Sequence, residues 1–113
     1  MARYQHLPIF KTSYDLLIEV MQLTKDFPRE FKFSLGEKIQ KSIIELLLDI
    51  YRANNSKDKT KYINSILEHL QCLDLLLRVS FDLKILSQPK YCAYIEKSSS
   101  IAKQSLGWLS VVD

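Results

Sequence analysis

Only two glycines and three prolines interrupt this chain of 113 residues, and that scarcity constrains the fold more than any other feature. Sandwiches and barrels need many tight turns, which glycine and proline supply. Apolar residues recur instead at steps of one, three and four along two stretches, which are Ile39, Ile43, Leu46, Leu47 and Ile50, and then Ile63, Ile66, Leu70, Leu73, Leu77 and Phe81. This spacing is typical of amphipathic helices. The chain is therefore predicted to be all-α.

The helix boundaries are predicted from capping residues and breaks. Pro8 suits a first helical turn, because its missing N–H needs no partner there. Ser34 and Glu37 fit a capping box, and Ser87 fits an N-cap. On these signals the helices are predicted over about residues 8–26, 34–54, 59–86 and 88–110.

The predicted connections are short, and short connections make consecutive helices antiparallel neighbours. Residues 1–113 are therefore expected to form one domain, an antiparallel up-down-up-down four-helix bundle. Several helices carry a wider apolar surface than a lone bundle needs. Because surplus exposed apolar surface usually marks a subunit interface, we expect an oligomer.

The net charge of +3, with a pI near 8.8, is only mildly basic. An ordinary solvated surface would explain it. Clustered cations would instead favour nucleic-acid contact, because they displace counterions from phosphates. In the predicted topology the first and third connections lie at one end, where basic residues collect among acidic neighbours. The basic residues of this end are Lys25, Arg29, Lys32, Lys38, Lys41, Lys84 and Lys90.

Cys72 and Cys92 are interpreted as reduced thiols of a cytoplasmic protein, since no apolar segment of signal-peptide length precedes them. No window approaches the roughly 18 apolar residues that span a bilayer, so no membrane contact is expected.

No cofactor, metal or catalytic role is expected. His69 and Cys72 stand three residues apart on one helix face, but two ligands do not make a metal site. Cysteine–histidine catalysis would also need a cleft and a third orienting group. Asp74 and Asp82 flank Arg78 at four-residue steps, the pattern of ion pairs on a helix surface.

Several sequence motifs follow one another along the chain. Residues 8–17 read PIFKTSYDLL, residues 27–40 read FPREFKFSLGEKIQ, residues 77–87 read LRVSFDLKILS, and residues 106–109 read LGWL. With Tyr91 opening the last helix, this order resembles the accessory variability determinant (Avd)-like family of diversity-generating retroelements. The resemblance covers nearly the whole chain.

The resemblance implies a four-helix bundle that assembles as a homopentameric barrel with a positively charged surface. It also implies two partners, the retroelement reverse transcriptase and its template RNA or DNA. By matched position, Arg78, Lys84 and Lys103 are the implied contacts to nucleic acid or partner, with Lys38 and Lys41 as further candidates. Lys103 stands where the family usually has arginine, which keeps the charge but loses the planar fork for bidentate phosphate contact.

Two alternatives stay open. The four-helix protein encoded in intervening sequences of bacterial ribosomal RNA genes shares the fold and an FP…L signature, but its second helix reads close to SIPANIAEG. Residues 42–50 here read SIIELLLDI, without that proline or glycine. The other alternative is a structural oligomer that binds a protein partner through an apolar patch.

Overall fold

The computed structural model describes residues 3–112, and these contain four long helices and no strand. Helix α2 covers residues 29–55 in three consecutive segments, Arg29–Phe31, the π-helical Lys32–Gly36, and Glu37–Asn55. A short 3-10 turn, Tyr4–His6, precedes the first helix. The other helices are α1 (Pro8–Lys25), α3 (Lys59–Asp82) and α4 (Gln88–Val111).

The four helices form a closed ring of neighbours. Helix α1 packs against α2 and α4, and α3 packs against the same two helices. Each helix therefore lies beside the next one in the chain, and the short connections make them antiparallel. The molecule measures 43 × 23 × 21 Å. The prediction of an all-α four-helix bundle is confirmed.

A single apolar core lies between the helices. Full burial of a large aliphatic side chain stabilises the fold by roughly 1.5–3 kcal/mol. Of the apolar positions that the spacing predicts for α2 and α3, all but Phe81 are buried, and Phe81 is half-buried. The buried positions are Ile39, Ile43, Leu46, Leu47 and Ile50 on α2, and Ile63, Ile66, Leu70, Leu73 and Leu77 on α3.

The predicted start of the second helix at Ser34 is wrong. Helix α2 begins at Arg29, where Pro28 is the N-cap, and the Phe31 N–H donates to the Pro28 carbonyl at 2.9 Å. Ser34 lies inside the helix, and its hydroxyl donates to the Glu30 and Phe31 carbonyls at 3.4 Å. No capping box forms, because these residues already have helical neighbours on the N-terminal side.

Helix α3 also differs from its prediction, since it ends at Asp82 and not at residue 86. The Ile85 N–H donates to the Ser80 carbonyl at 3.1 Å, and the Lys84 N–H donates to the Phe81 carbonyl at 2.9 Å. This pair of bonds defines a Schellman motif. Lys84 takes its left-handed position with φ of 64°, where glycine is usual. The sequence signal for this helix end, a glycine, is therefore missing.

The next helix begins as predicted. Ser87 is the N-cap of α4, and its side chain accepts a hydrogen bond from the Lys90 N–H at 3.4 Å.

Two carboxylates fix the relative positions of neighbouring helices through hydrogen bonds. Asp74 on α3 accepts from the Tyr94 hydroxyl and, at 2.6 Å, from the Ser98 hydroxyl, both on α4. Asp49 on α2 accepts in the same way from Ser65 on α3. The prediction that Asp74 forms a surface ion pair with Arg78 is therefore wrong, because its carboxylate faces buried donors of α4.

We predict that Tyr94→Phe lowers the free energy of unfolding by about 1.5 kcal/mol. The substitution removes a hydroxyl that donates to a partly buried carboxylate, and hydrogen bonds to charged groups contribute about that much. Urea unfolding at pH 7 measures the change. Tyr14→Phe is the matched control, since Tyr14 is half-exposed and its loss of a hydroxyl should change the stability by less than about 0.5 kcal/mol. Equal effects of the two substitutions would contradict a role of the Asp74 contact.

The same contact predicts a pH dependence. The pKa of Tyr94 is raised, mainly because burial disfavours the phenolate, and the hydrogen bond and negative charge of Asp74 raise it further. A tyrosine of the unfolded chain ionises near about pH 10 while the folded one stays protonated, so unfolding releases a proton and stability falls above that pH. Between about pH 10 and 11, the wild type should lose up to roughly 1 kcal/mol more stability than Tyr94→Phe. Parallel losses in urea titrations of the two proteins would contradict this assignment.

Candidate nucleic-acid interface

The net positive charge of the chain is concentrated at one end of the bundle. Because consecutive helices are antiparallel, residues 25–41 and 78–90 occupy the same end, which we call the basic end. These segments contain eight basic and four acidic residues, a net charge of +4, whereas the whole chain carries +3. The remaining residues therefore sum to −1. Positive charge separated in this way creates a local field much stronger than the overall charge indicates.

A hydrogen bond joins α1 and α2, the helices on either side of the first connection, at this end. The Gln40 side-chain amide donates to the Thr24 hydroxyl at 2.7 Å, and that hydroxyl donates to the Val20 carbonyl at 2.8 Å. Gln40 is thus level with the last turn of α1. Lys41, its neighbour in the sequence, therefore lies at the height of Lys25.

Arg78 lies one turn before the end of α3, and its side chain is 64% exposed. Its Nε donates to both carboxylate oxygens of Asp82, at 3.0 and 3.1 Å, as predicted. This hydrogen bond and the charge of Asp82 raise the pKa of Arg78, with Tyr91 adding to the effect. The Tyr91 ring stacks on Phe81 at 4.6 Å between centroids, so the arginine lies beside a paired aromatic surface. An exposed ion pair is weak in water, and a phosphate can displace it.

Lys84 is exposed at the position where the Schellman motif ends α3. A non-glycine residue in the left-handed region costs about 1–2 kcal/mol. Local strain of this kind persists where the surrounding structure supports it and is a common sign of a functional position. The lysine adds an ammonium group at the tip of the bundle, which glycine would not provide.

Of the remaining predicted contacts, the structure places Lys38 and Lys41 at the basic end but not Lys103. Lys38 and Lys41 are exposed on the first turns of the Glu37–Asn55 segment of α2. Lys103 is exposed on α4, 15 residues after Gln88. At 1.5 Å per residue it lies about 22 Å down the helix. Of the five predicted contact residues, four therefore lie at the basic end, and Lys103 lies apart from them.

The histidine and cysteine side chains considered for metal binding or nucleophilic chemistry do not form a common site. The His69 Nε2 is 3.5 Å from Oδ2 of Asp49, and the other carboxylate oxygen of Asp49, Oδ1, accepts a hydrogen bond from Arg52 at 3.0 Å. Cys72 and Cys92 are free and exposed. Within residues 3–112, no group of three or more His, Cys, Asp or Glu side chains could hold a metal ion. In the same range, no helix has the length and hydropathy needed to cross a membrane.

A large exposed apolar surface lies between α1 and α2, and the sequence indicated it only in general terms. It forms an open groove of about 430 Å³. Phe10 and Leu17 of α1 and Leu47 of α2 line it among other apolar side chains, and Tyr4 makes edge-on ring contacts with Phe10 and Tyr51. Apolar periodicity predicted surplus apolar surface, but the position of the groove depends on how the two helices pack.

The fold and the charge distribution thus define a four-helix bundle with a concentrated basic end and an uncovered apolar groove. The sequence profile of the bAvd-like family matches residues 7–112, and the chain belongs to that family. The match confirms the resemblance to the accessory variability proteins of diversity-generating retroelements, which are accessory proteins without a catalytic role. A comparison with curated proteins finds no match.

Because the backbone of Lys84 is left-handed, we expect glycine to be more stabilising than alanine at this position. Lys84→Gly should be about 1 kcal/mol more stable than Lys84→Ala, because both remove the charge but only glycine relieves the backbone. Thermal or urea unfolding measures the difference. At Lys103, inside α4, the order should be reversed by about 1 kcal/mol, since glycine destabilises a helix interior. The same order at both positions would contradict the backbone assignment.

Proposed function

We propose that this protein is a non-catalytic accessory subunit of a diversity-generating retroelement, in which it binds nucleic acid and the reverse transcriptase to support mutagenic reverse transcription. Membership of the bAvd-like family supports the retroelement role. The observation that carries the nucleic-acid part is the net charge of +4 in residues 25–41 and 78–90, since polyanion affinity rests on clustered cations.

The proposed assembly is a homopentamer. Uncovered apolar surface on several helices supports self-association, because soluble monomers rarely expose this much of it. Five copies around a common axis would bring together about 20 net positive charges from their basic ends, which strengthens the field along that side of the ring. This multiplication turns a mildly basic chain into a strong polyanion binder.

Each predicted residue has a role in this proposal. Arg78, Lys84, Lys38 and Lys41 contact phosphates at the basic end. Lys103, about 22 Å further down α4, contacts the reverse transcriptase or a nucleic acid that runs along the helix. No bond is made or broken by this subunit, which positions the template electrostatically for the enzyme. We place this activity in the cytoplasm, where the template RNA would be copied.

Gel retardation of structured RNA tests the nucleic-acid part. At about 50 mM salt and micromolar protein, the wild type should retard the RNA, and its affinity should fall steeply as salt increases. The double variant Arg78→Glu with Lys84→Glu should bind the RNA at least roughly tenfold more weakly. The slope of log affinity against log salt concentration should become shallower by about 1–2, because phosphate contacts are lost.

The matched control changes the total charge equally at the opposite end of the bundle. Lys57 and Lys61 are exposed near the start of α3, and Lys57→Glu with Lys61→Glu should leave the affinity within about twofold. Equal weakening by both double variants would show that only net charge matters. Failure of the wild type to bind RNA at low salt would refute the nucleic-acid role and favour an oligomer that binds protein alone. In that case the Arg78→Glu variant should still capture the reverse transcriptase.

A further inference from the structure

Phe33 lies at the basic end of the bundle, in the π-helical segment of α2, directly after Lys32. Among the aromatic side chains of residues 3–112 it is the most exposed, with 68% of its surface open to solvent. A single exposed apolar side chain is common on protein surfaces. This ring, however, stands among cations, and an aromatic face beside positive charge is the combination with which proteins bind single-stranded nucleic acid.

A second aromatic surface at the same end belongs to Phe81 of α3. Its ring stacks on Tyr91 at 4.6 Å between centroids, with 10° between the ring planes. Tyr91 packs against the core, so it supports the Phe81 ring from inside the bundle. Phe81 also borders an open cleft of about 440 Å³, which Lys84 and Gln88 line as well. The half-buried ring is thus fixed in position beside a cation and an amide.

The two phenylalanine rings lie at the same height of the bundle, on neighbouring helices. The hydrogen bond from Ser65 of α3 to Asp49 of α2 marks where these helices are level. Phe33 lies 16 residues before Asp49. Phe81 lies 16 residues after Ser65. At about 1.5 Å per residue, each ring is about 24 Å from this contact, toward the basic end. Because α2 and α3 are antiparallel and pack together, the two rings are level with each other.

We infer that Phe33 and Phe81 stack on unpaired bases of the nucleic acid that binds at the basic end. A base presents a flat face that stacks on an aromatic ring whatever the identity of the base. The phosphates on either side of that base then meet the net charge of +4 of the surrounding segments. This inference rests on the proposed function and adds the form of the ligand, since in a duplex the neighbouring base pairs cover those faces.

The chemistry of the cleft beside Phe81 fits the edge of a base. The Gln88 amide offers both a donor and an acceptor to the polar groups of that edge. Asp82 also lines the cleft, but its negative charge is paired, because both its carboxylate oxygens accept from Arg78. The charge that a phosphate next to the stacked base would meet is that of Lys84.

Gel retardation of two RNA probes of equal length tests the inference, one an unstructured single strand and the other a fully paired duplex, both at about 50 mM salt. Phe33→Leu and Phe81→Leu keep an apolar side chain but remove the aromatic face. Each should weaken binding of the single strand at least about fivefold, the lower end of what one stacked base contributes. Binding of the duplex should stay within about twofold, because it rests on phosphate contacts that neither substitution removes.

The duplex also shows that each variant is folded, and Phe33→Leu decides the test alone if Phe81→Leu fails to fold. Only phosphate contacts release counterions, so the slope of log affinity against log salt concentration should be the same for the wild type and both variants. A single strand that carries 5-iodouridine, which crosslinks to stacked aromatic side chains on irradiation, should label Phe33 or Phe81 in mass spectra of the digested complex.

Tyr62→Leu is the matched control. Tyr62 is a half-buried aromatic residue near the start of the same helix, α3, at the opposite end of the bundle. The Nζ of Lys61 lies 4.9 Å from the centroid of its ring, so a ring beside a lysine is present there too. The substitution should leave the affinity for the single strand within about twofold, because the basic end is far beyond the range of the change.

The outcomes separate this inference from the proposed function. Leucine variants that bind the single strand as tightly as the wild type, or that lose single strand and duplex equally, overturn the stacking contact while wild-type binding of RNA sustains the proposed function. Crosslinks confined to residues outside the basic end also overturn the stacking contact. Failure of the wild type to bind either probe overturns the proposed function and the inference with it.

Discussion

The antiparallel packing of four helices around one apolar core determines where the candidate functional residues of this protein lie. Burial of Leu16, Ile43, Ile66, Leu73 and Ile101 holds the helices together, and the short connections decide which ends meet. Charges that are scattered along the sequence are thereby gathered at one end. The concentration of +4 there is a consequence of topology, since the same residues in an extended chain would have no common field.

Polar contacts between the helices add specificity to this packing. Asp74 receives two hydroxyl donors from α4, and Asp49 receives one from α3, so each carboxylate defines how one helix pair is aligned. The ends of the helices are set differently, by Pro28 before α2 and by the Schellman motif at Lys84. The alignment of the helices and the positions of their ends together determine where along the bundle the basic side chains are exposed to solvent.

Much of the fold was predictable because core burial has the period of the helix. The apolar positions of α2 and α3 and the N-cap at Ser87 follow from this rule and from local capping chemistry. The start of α2 was not predictable from the Ser34 signal, because the helix already begins after Pro28 and continues through a π-helical turn that capping rules do not describe. The end of α3 escaped prediction because Lys84 occupies a glycine position. The side chains facing Asp74 belong to a helix some 20 residues away, and sequence spacing within one helix cannot reveal them.

The candidate interface was predicted in composition but not in shape, since the meeting of residues 25–41 with residues 78–90 and the distance of Lys103 from both depend on how the helices pack. The central claim is that the basic end, and not the general positive charge, grips nucleic acid. Amide hydrogen exchange with and without bound RNA tests this claim most directly. Added protection should fall in residues 25–41 and 78–90, with residues 56–62 at the opposite end unchanged. Protection spread evenly over the chain, or confined to residues 56–62, would contradict it.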